Sequence, residues 1–388
     1  MALTLKFIAS LQHVTASDWD KLFAADFPFT RHAFLMALEQ GGSVDGQTGW
    51  QSHHLTVWHD TQLVAAVPGY IKTHSYGEYL FDWQINQAYE QFQWPYYPKW
   101  IAAIPFTPVT GPRLGILATV LEPELVETIL PGICHFLQQQ LTDTATPKLH
   151  SVQWLYHDHV LHERLRSQGF WSRHDIQFLW SNRQYGDFTD FLAGLTSRKR
   201  KQIKKERESC AHLNIKTLTG AMLTPQIWQQ LIQCYQATYL KRSGHRGYIT
   251  AASFALIAAE LADKIIVFAA FEPNNPEQML AASLCFVSHD TLYGRYWGAL
   301  SENELLHFEL CYYQGINYCI EHKLHYFDAG AQGEHKLKRG FEPVVRYGAY
   351  AFAKTALSPA IARYFIQEKA QLDEYMAAAI AALPYKLD

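Results

Sequence analysis

The 388-residue chain is poor in cysteine, with six, and none of them is spaced as C-x-x-C. That excludes a dense disulfide framework and any recognised zinc-ligand spacing; Cys285, Cys311 and Cys319 sit among apolar residues, where reduced, buried thiols are expected. Long hydrophobic runs are missing too. Nothing approaches the roughly 20 apolar residues that span a bilayer, and the alanine-rich stretch 375–383 stops at Pro384. The N-terminal MALTLKFIASLQHV has neither a basic n-region nor an unbroken apolar h-region, so no signal peptide is expected. Charge imbalance is small as well. A net charge of −3 rules out a molecule that binds polyanions as a whole, so any basic site must be local. What is abundant is apolar surface: 48% hydrophobic and 14% aromatic residues bury large cores and leave no signature of disorder. The expectation is a cytoplasmic protein of two or three domains, without membrane insertion.

Read in order, residues 17–23 and 30–40 are helical, the second ending at Gly41-Gly42. Residues 52–58 and 63–72 read as a strand hairpin around His59-Asp60-Thr61-Gln62. Residues 74–116 are aromatic and broken by Pro95, Pro98, Pro105, Pro108 and Pro112, which forbid long regular elements. Such a segment lines a groove for a sugar or acyl chain, or forms an irregular aromatic core layer. Then follow a helix (123–141), a strand (149–156), a helix (159–168) stopped by Gly169, and a strand (175–181).

The second half repeats the first. Helix, strand, a basic residue with Gly-Phe, and strand recur at 123–141, 152–156, Gly169-Phe170 and 176–180, and again at 304–322, 324–327, Gly340-Phe341 and 344–352. The upstream hairpins correspond, 52–72 against 264–287. A shared order with a matching Gly-Phe corner indicates two copies of one α/β unit. They are expected at about residues 1–182 and 183–388, with a C-terminal helix (358–383) packed back on the body. The first copy reads as mainly structural.

The second copy carries the chemistry-bearing stretch. Tyr293, Tyr296 and Trp297 give a strand; Leu306, Leu310, Tyr313, Ile316 and Ile320 recur at helical spacing, with Ser301 and Glu304 as a capping box; residues 324–327 are a second strand. Strand, crossover helix and strand make a parallel pair, and ligands bind at the carboxyl ends of such strands. There stands Asp328-Ala-Gly-Ala-Gln-Gly-Glu-His-Lys336. Between the halves, seven of the ten residues from Arg198 to Arg207 are Lys or Arg, with one glutamate. The run is a solvated helix face or a surface for nucleotide, phosphate or nucleic acid.

Two tandem α/β units, the basic helix SRKRKQIKKER and the closing KRGFEP resemble the Fem-like proteins, duplicated members of the GNAT acyltransferase superfamily. The stretch from His307 to Gly315 with GAQGEHK (330–336) resembles the predicted N-acyltransferase branch, described as peptidoglycan biosynthesis or recognition proteins. The resemblance implies mixed α/β sheets in two GNAT-like units, with two middle strands, 291–300 and 324–328, splayed apart to admit an acyl donor. One departure stands out. GNAT enzymes hold the pyrophosphate of acetyl-CoA on a glycine-rich loop at a helix N-terminus. Here that loop is Ser301-Glu-Asn-Glu-Leu-Leu306, with no glycine and two glutamates, so weak or absent acetyl-CoA binding is expected. Fem-type relatives use aminoacyl-tRNA, which suits the basic helix. No tightly bound cofactor is expected; the donor is aminoacyl-tRNA or acyl-CoA, and the acceptor an amine.

Amide formation needs a base for the attacking amine and donors for the oxyanion. Glu334 and His335 are the base candidates. Gly330 and Gly333 permit close approach of a ligand. Asp328, Lys336, Lys338, Arg339, His307, Glu309, Arg200 and Lys204 are the candidate binding groups, the last two one helical turn apart. A metal on His307, Cys311 and His335 has no supporting spacing, and none is expected. The reading is an N-acyltransferase or aminoacyltransferase, against a non-catalytic cell-wall-precursor recognition protein or an RNA-binding protein.

Overall fold

The computed structural model describes residues 3–23, 26–44, 47–142, 148–300, 305–331 and 333–386. The expected capping box at Ser301 and Glu304, and the donor loop around it, lie outside the described residues. The chain divides into two compact units: Met1–Asp175 with Val345–Glu374, and Ile176–Val344 with Tyr375–Asp388. The expected division at 182/183 follows chain order; the compact units do not. Residues 347–352 pair antiparallel with the strand Ser151–His157, and this tethers a C-terminal segment to the first unit.

In the first unit, Leu3–Ile8, His54–His59, Gln62–Val67 and Gly115–Ile116 form an antiparallel sheet. The expected hairpin is present, but its return strand ends at Val67, and Gly69–Lys72 pairs instead with Trp50–Ser52 and Lys99–Ala102. Lys99–Ala102 runs parallel to Ser151–His157. The aromatic segment is divided: Tyr89, Tyr96, Trp100 and Phe106 are buried, Tyr79, Phe81, Trp94 and Tyr97 half-buried, and Tyr76, Trp83 and Phe92 exposed. Its one helix, Trp83–Gln91, occupies the proline-free stretch before Pro95. The helix Ser358–Ala381 buries Ile361 and Phe365, and Phe365 meets the rings of Trp171, Tyr350 and Phe352.

The second unit is an antiparallel meander, Asn214–Thr219, Ile265–Glu272, Asn275–Val287 and Thr291–Ala299, followed by a short strand, Tyr326–Asp328. That last strand is parallel to its neighbour for three residues only, Thr291 with Tyr326 to Tyr293 with Asp328, and antiparallel to Leu179–Ser181 on its other side. Beyond Tyr293 the long strand continues to Ala299 while the chain after Asp328 turns away. This is the splayed mixed sheet expected of a GNAT-like unit. The expected helix 304–322 is α-helical at Leu306–Phe308 and Gln314–Glu321, with a π-helical turn at Glu309–Tyr313 between them. Its inner face packs Leu306, Leu310, Ile316 and Ile320 against Phe327, Trp180 and Phe268.

The meander needs a close approach at Gly298. A Cβ there would lie 2.1 Å from the backbone carbon of Cys234 in the helix Pro225–Ser243. Gly298→Ala is therefore expected to destabilise the protein by about 1–3 kcal/mol, because a backbone cannot yield as a side chain does. Gly132, inside the helix Pro123–Gln139 with nothing within 4 Å of its built Cβ, is the contrasting case. Gly132→Ala should stabilise by up to about 1 kcal/mol through helix propensity. Urea midpoints of both variants against the parent check the pair.

Candidate functional site

The turn after Asp328 is built from its own backbone. Gly330 and Gly333 have φ of +88° and +114°, a region that side chains disfavour. Asp328, 2% exposed, accepts a bond from the Gly330 N–H at 3.1 Å. The buried Lys336 ammonium reaches back to donate to the Gly330 carbonyl. A Cβ on Gly333 would sit 2.5 Å from the His335 ring, so glycine lets that ring fold over the turn. Glu334–Arg339 then forms a 3-10 helix.

His335 Nε2 and the Tyr312 hydroxyl are 2.8 Å apart. Burial, then the charges of Arg339, Lys336 and Lys338, hold His335 below the usual histidine range, so its imidazole is neutral at pH 7. Burial and the neighbouring Cys311 push the Tyr312 phenol up, and it keeps its proton. A protonated hydroxyl facing a neutral imidazole nitrogen donates to it. His307 stands beside this pair, 5.4 Å ring to ring from Tyr312 and 6.1 Å from His335. Burial, then His335, Arg242, Lys336 and Arg339, drive it to about 3. Both histidines are thus uncharged in a positively biased corner.

Arg339 closes the site from below. Its guanidinium donates to the Tyr313 hydroxyl at 2.8 Å, the His335 carbonyl at 2.9 Å and Glu206 at 2.7 Å, and lies 3.5 Å over the Phe308 ring. Glu206 also accepts from Tyr313 and, at 2.8 Å, from Gln202. Its neighbour Arg207 pairs with the buried Glu309 at 3.2 Å, and Gln314 donates to the same carboxylate at 2.7 Å. The basic helix, Ser197–Glu208, therefore docks near its C-terminal end through Glu206 and Arg207, while Arg198, Lys201, Lys204 and Lys205 are exposed. Arg200 is half-buried and Lys204 exposed. Burial, then Lys338, Arg198 and Arg339, depress Lys199, which marks a crowd of cations where this helix meets the turn.

The sequence-derived candidates thus separate into groups. His335, His307, Lys336 and Arg339 come together with Tyr312. Arg339 is committed to Glu206, Tyr313 and the His335 carbonyl, and Glu309 is 2% exposed and bonded to Arg207 and Gln314. Glu334 is exposed and accepts from Tyr375 at 3.1 Å, and Lys338 points to solvent. Sequence reasoning passed over Tyr312, Tyr313 and Glu206. The signal for Glu206 was there, a single acid inside a basic run that had to face something cationic. Among the described residues, no group of three or more His, Cys, Asp or Glu is placed to hold a metal ion, and no helix is long and apolar enough to cross a membrane.

The Glu206 carboxyl gives this knot a pH signature. Burial raises its pKa, but the bonds from Tyr313 and Gln202 and the charge of Arg339 outweigh that and hold it below 4.5. A depressed folded-state pKa means stability fully present above 4.5 and lost as pH falls through the lowered value. Glu206→Gln should flatten that acid limb in urea titrations taken at descending pH. Arg339→Ala, which leaves a buried carboxylate unpaired, should cost about 3–5 kcal/mol at neutral pH.

The family profile described as FemAB-like, peptidoglycan biosynthesis/recognition, matches residues 10–387. No curated protein matches the chain. Among solved structures, one similar to this chain is the C-terminal DUF2156 domain assigned to a lysylphosphatidylglycerol synthetase of Agrobacterium fabrum. The two are 11% identical over 92% of this chain and 96% of that one, with a TM-score of 0.51, a likeness of fold. FemX is similar at 10% identity over 89% and 97% of the two chains, with a TM-score of 0.49. A tandem GNAT protein from the clavulanic acid biosynthesis pathway is 8% identical over 92% of this chain and all of its own, with a TM-score of 0.45. With a profile match along nearly its whole length, the chain belongs to the FemAB-like family of peptidoglycan biosynthesis/recognition proteins.

Proposed function

We propose that the protein is an N-acyltransferase of the aminoacyl-transferring kind, forming an amide on an amine acceptor of cell-wall-precursor type. The observation that carries this reading is the Tyr312–His335 pair, uncharged, with Tyr312 buried and His335 half-buried beside the carboxyl end of the splayed strands. The acceptor nitrogen attacks the acyl carbon and the ester bond to the donor breaks. The amine proton passes to the Tyr312 oxygen as the Tyr312 proton moves to His335 Nε2, and the same pair run in reverse returns a proton to the leaving ester oxygen, restoring neutral His335. His335 takes the base role in preference to Glu334, whose carboxylate is exposed and held by Tyr375. The crowded cations Lys199, Lys338 and the outward charges of the basic helix supply the field that an anionic donor such as aminoacyl-tRNA requires. Lys336 and Arg339 add positive potential where the oxyanion forms, and their internal bonds keep them in place before substrate arrives.

Mass-shift assays of amine acceptors with aminoacyl-tRNA and with acyl-CoA test the reaction. Turnover from aminoacyl-tRNA is expected. Precursor binding without turnover from either donor would favour a pure recognition role. His335→Ala should lower kcat by about 10²–10⁴-fold with little change in KM, and Tyr312→Phe should move kcat the same way. The rate should rise with pH through an apparent pKa below 6.5, since His335 acts only when neutral. Full activity in His335→Ala would remove it from the mechanism. Arg200→Ala with Lys204→Ala should weaken anionic-donor binding and shrink its salt dependence, leaving kcat near the parent value; an unchanged salt slope would make the basic helix a solvated face only.

A further inference from the structure

Three histidines of the first unit form one hydrogen-bonded chain. His157 ends the strand Ser151–His157, His162 lies in the helix His159–Ser167, and Ser172 and His174 open the strand Trp171–Ser181. His157 Nε2 and His162 Nδ1 are 3.1 Å apart, His162 Nε2 and the Ser172 hydroxyl 2.7 Å, and that hydroxyl and His174 Nε2 3.0 Å. His157 and His162 are 0% and 1% exposed, whereas Ser172 and His174 are half-buried, so the chain runs from the interior towards the surface. The Tyr347 ring lies against it, 4.6 Å from the His162 ring and 5.4 Å from that of His174. At the buried end, His157 Nδ1 has no hydrogen-bond partner among the described residues.

The number of protons limits what this chain tolerates. Each neutral imidazole carries one N–H and the serine one O–H, which makes four protons for three bonds. With every bond made, the fourth proton stands at one end. It sits on Nδ1 of half-buried His174, or on His157 Nδ1 in the interior, where nothing accepts it. An unpartnered buried donor is costly, so the first arrangement wins. A fifth proton removes that choice. If all three bonds persist, both ends carry an N–H, and one of them is the unpartnered His157 Nδ1; otherwise a bond of the chain breaks. Arg113 faces His157; Glu163, Arg166 and His159 face His162; Lys369, Asp373, Arg166 and Glu368 face His174. Burial comes first at all three and outweighs the acids, and each histidine is held below the usual range, His162 at about 4.

We infer that this chain is an acid-sensitive latch in the first unit. While its histidines are neutral it ties the helix His159–Ser167 to the strands before and after it, and an added proton frees His162 and the helix with it. A freed histidine protonates near 6.5, the latched one only near 4, so the latch holds above pH 6.5 and is lost as pH falls towards 4. The Glu206 carboxyl of the second unit titrates below 4.5. Mild acid therefore loosens this helix while the Arg339–Glu206 pair still holds.

Hydrogen exchange of the full chain at pH 7 and pH 5, corrected for intrinsic rates, tests the latch. Amides 162–167 are expected to lose protection about twentyfold at pH 5, the ratio for a group that titrates at 6.5 when free and near 4 when latched. His162→Phe keeps a ring against Tyr347 and cannot titrate, so its protection there should be alike at both pH values. A second measurement needs no variant: ring-nitrogen NMR of the unsubstituted chain at pH 6 should show His157 and His162 neutral. The inference is overturned if either is charged at pH 6, or if protection over 162–167 is the same at pH 7 and pH 5. It is overturned equally if His162→Phe keeps the parent's loss.

Discussion

The second unit depends on one buried ion pair. Arg339 and Glu206 are 133 residues apart along the chain, nearly dry, and 2.7 Å from each other. Neither charge tolerates such burial alone, and each is satisfied on several sides: Glu206 by Tyr313 and Gln202, Arg339 by Tyr313, the His335 carbonyl and the Phe308 ring. Such a knot contributes little net stability against an apolar replacement; what it supplies is placement. Three elements with no sequence neighbourhood, the basic helix, the π-turned helix and the turn after Asp328, are held in one register by it. The position of His335 follows, since its own carbonyl is one of the groups that Arg339 holds.

Polar groups that are bonded internally and groups that remain to meet a ligand divide this site sharply. Asp328, Glu309, Lys336 and Arg339 form its frame, each buried and each bonded. Buried Tyr312 faces the half-buried His335 ring at its edge. A preorganised frame of this kind costs no rearrangement when charge develops on a reacting carbonyl. Burial first, and then the nearby cations, keep the two histidines of this corner unprotonated.

The architecture was legible where periodicity and glycine speak. The parallel pair, the hairpin at 264–287, the helix crossing between the strands and the turn with its two glycines follow from pattern, because side-chain spacing encodes which face is buried, whereas the strand Asn214–Thr219 and the helix Pro225–Ser243 went unread. Individual roles were less legible. Glu334 and His335 are adjacent and equally suggestive in sequence, but a 3-10 turn sends one to solvent beside Tyr375 and folds the other over Gly333. Arg339 reads as a ligand-binding cation until Glu206 is seen across from it, a long-range pairing that no local pattern carries. The C-terminal segment reads as part of the second copy until its strand is seen hydrogen-bonded to Ser151–His157.

The π-turn at Glu309–Tyr313 has a consequence for how this helix tolerates change in length. A π-turn holds one residue more than the α-helical path it replaces, so everything before it is rotated by about 100° relative to everything after. Leu306 and His307 belong to one angular frame, Ile316 and Ile320 to another. The surplus residue acts as a phase shifter. It lets a single helix satisfy the hydrophobic core at its far end while aiming His307 and Phe308 at the turn after Asp328 at its near end. A regular helix of the same composition would serve the core or the corner, and not both.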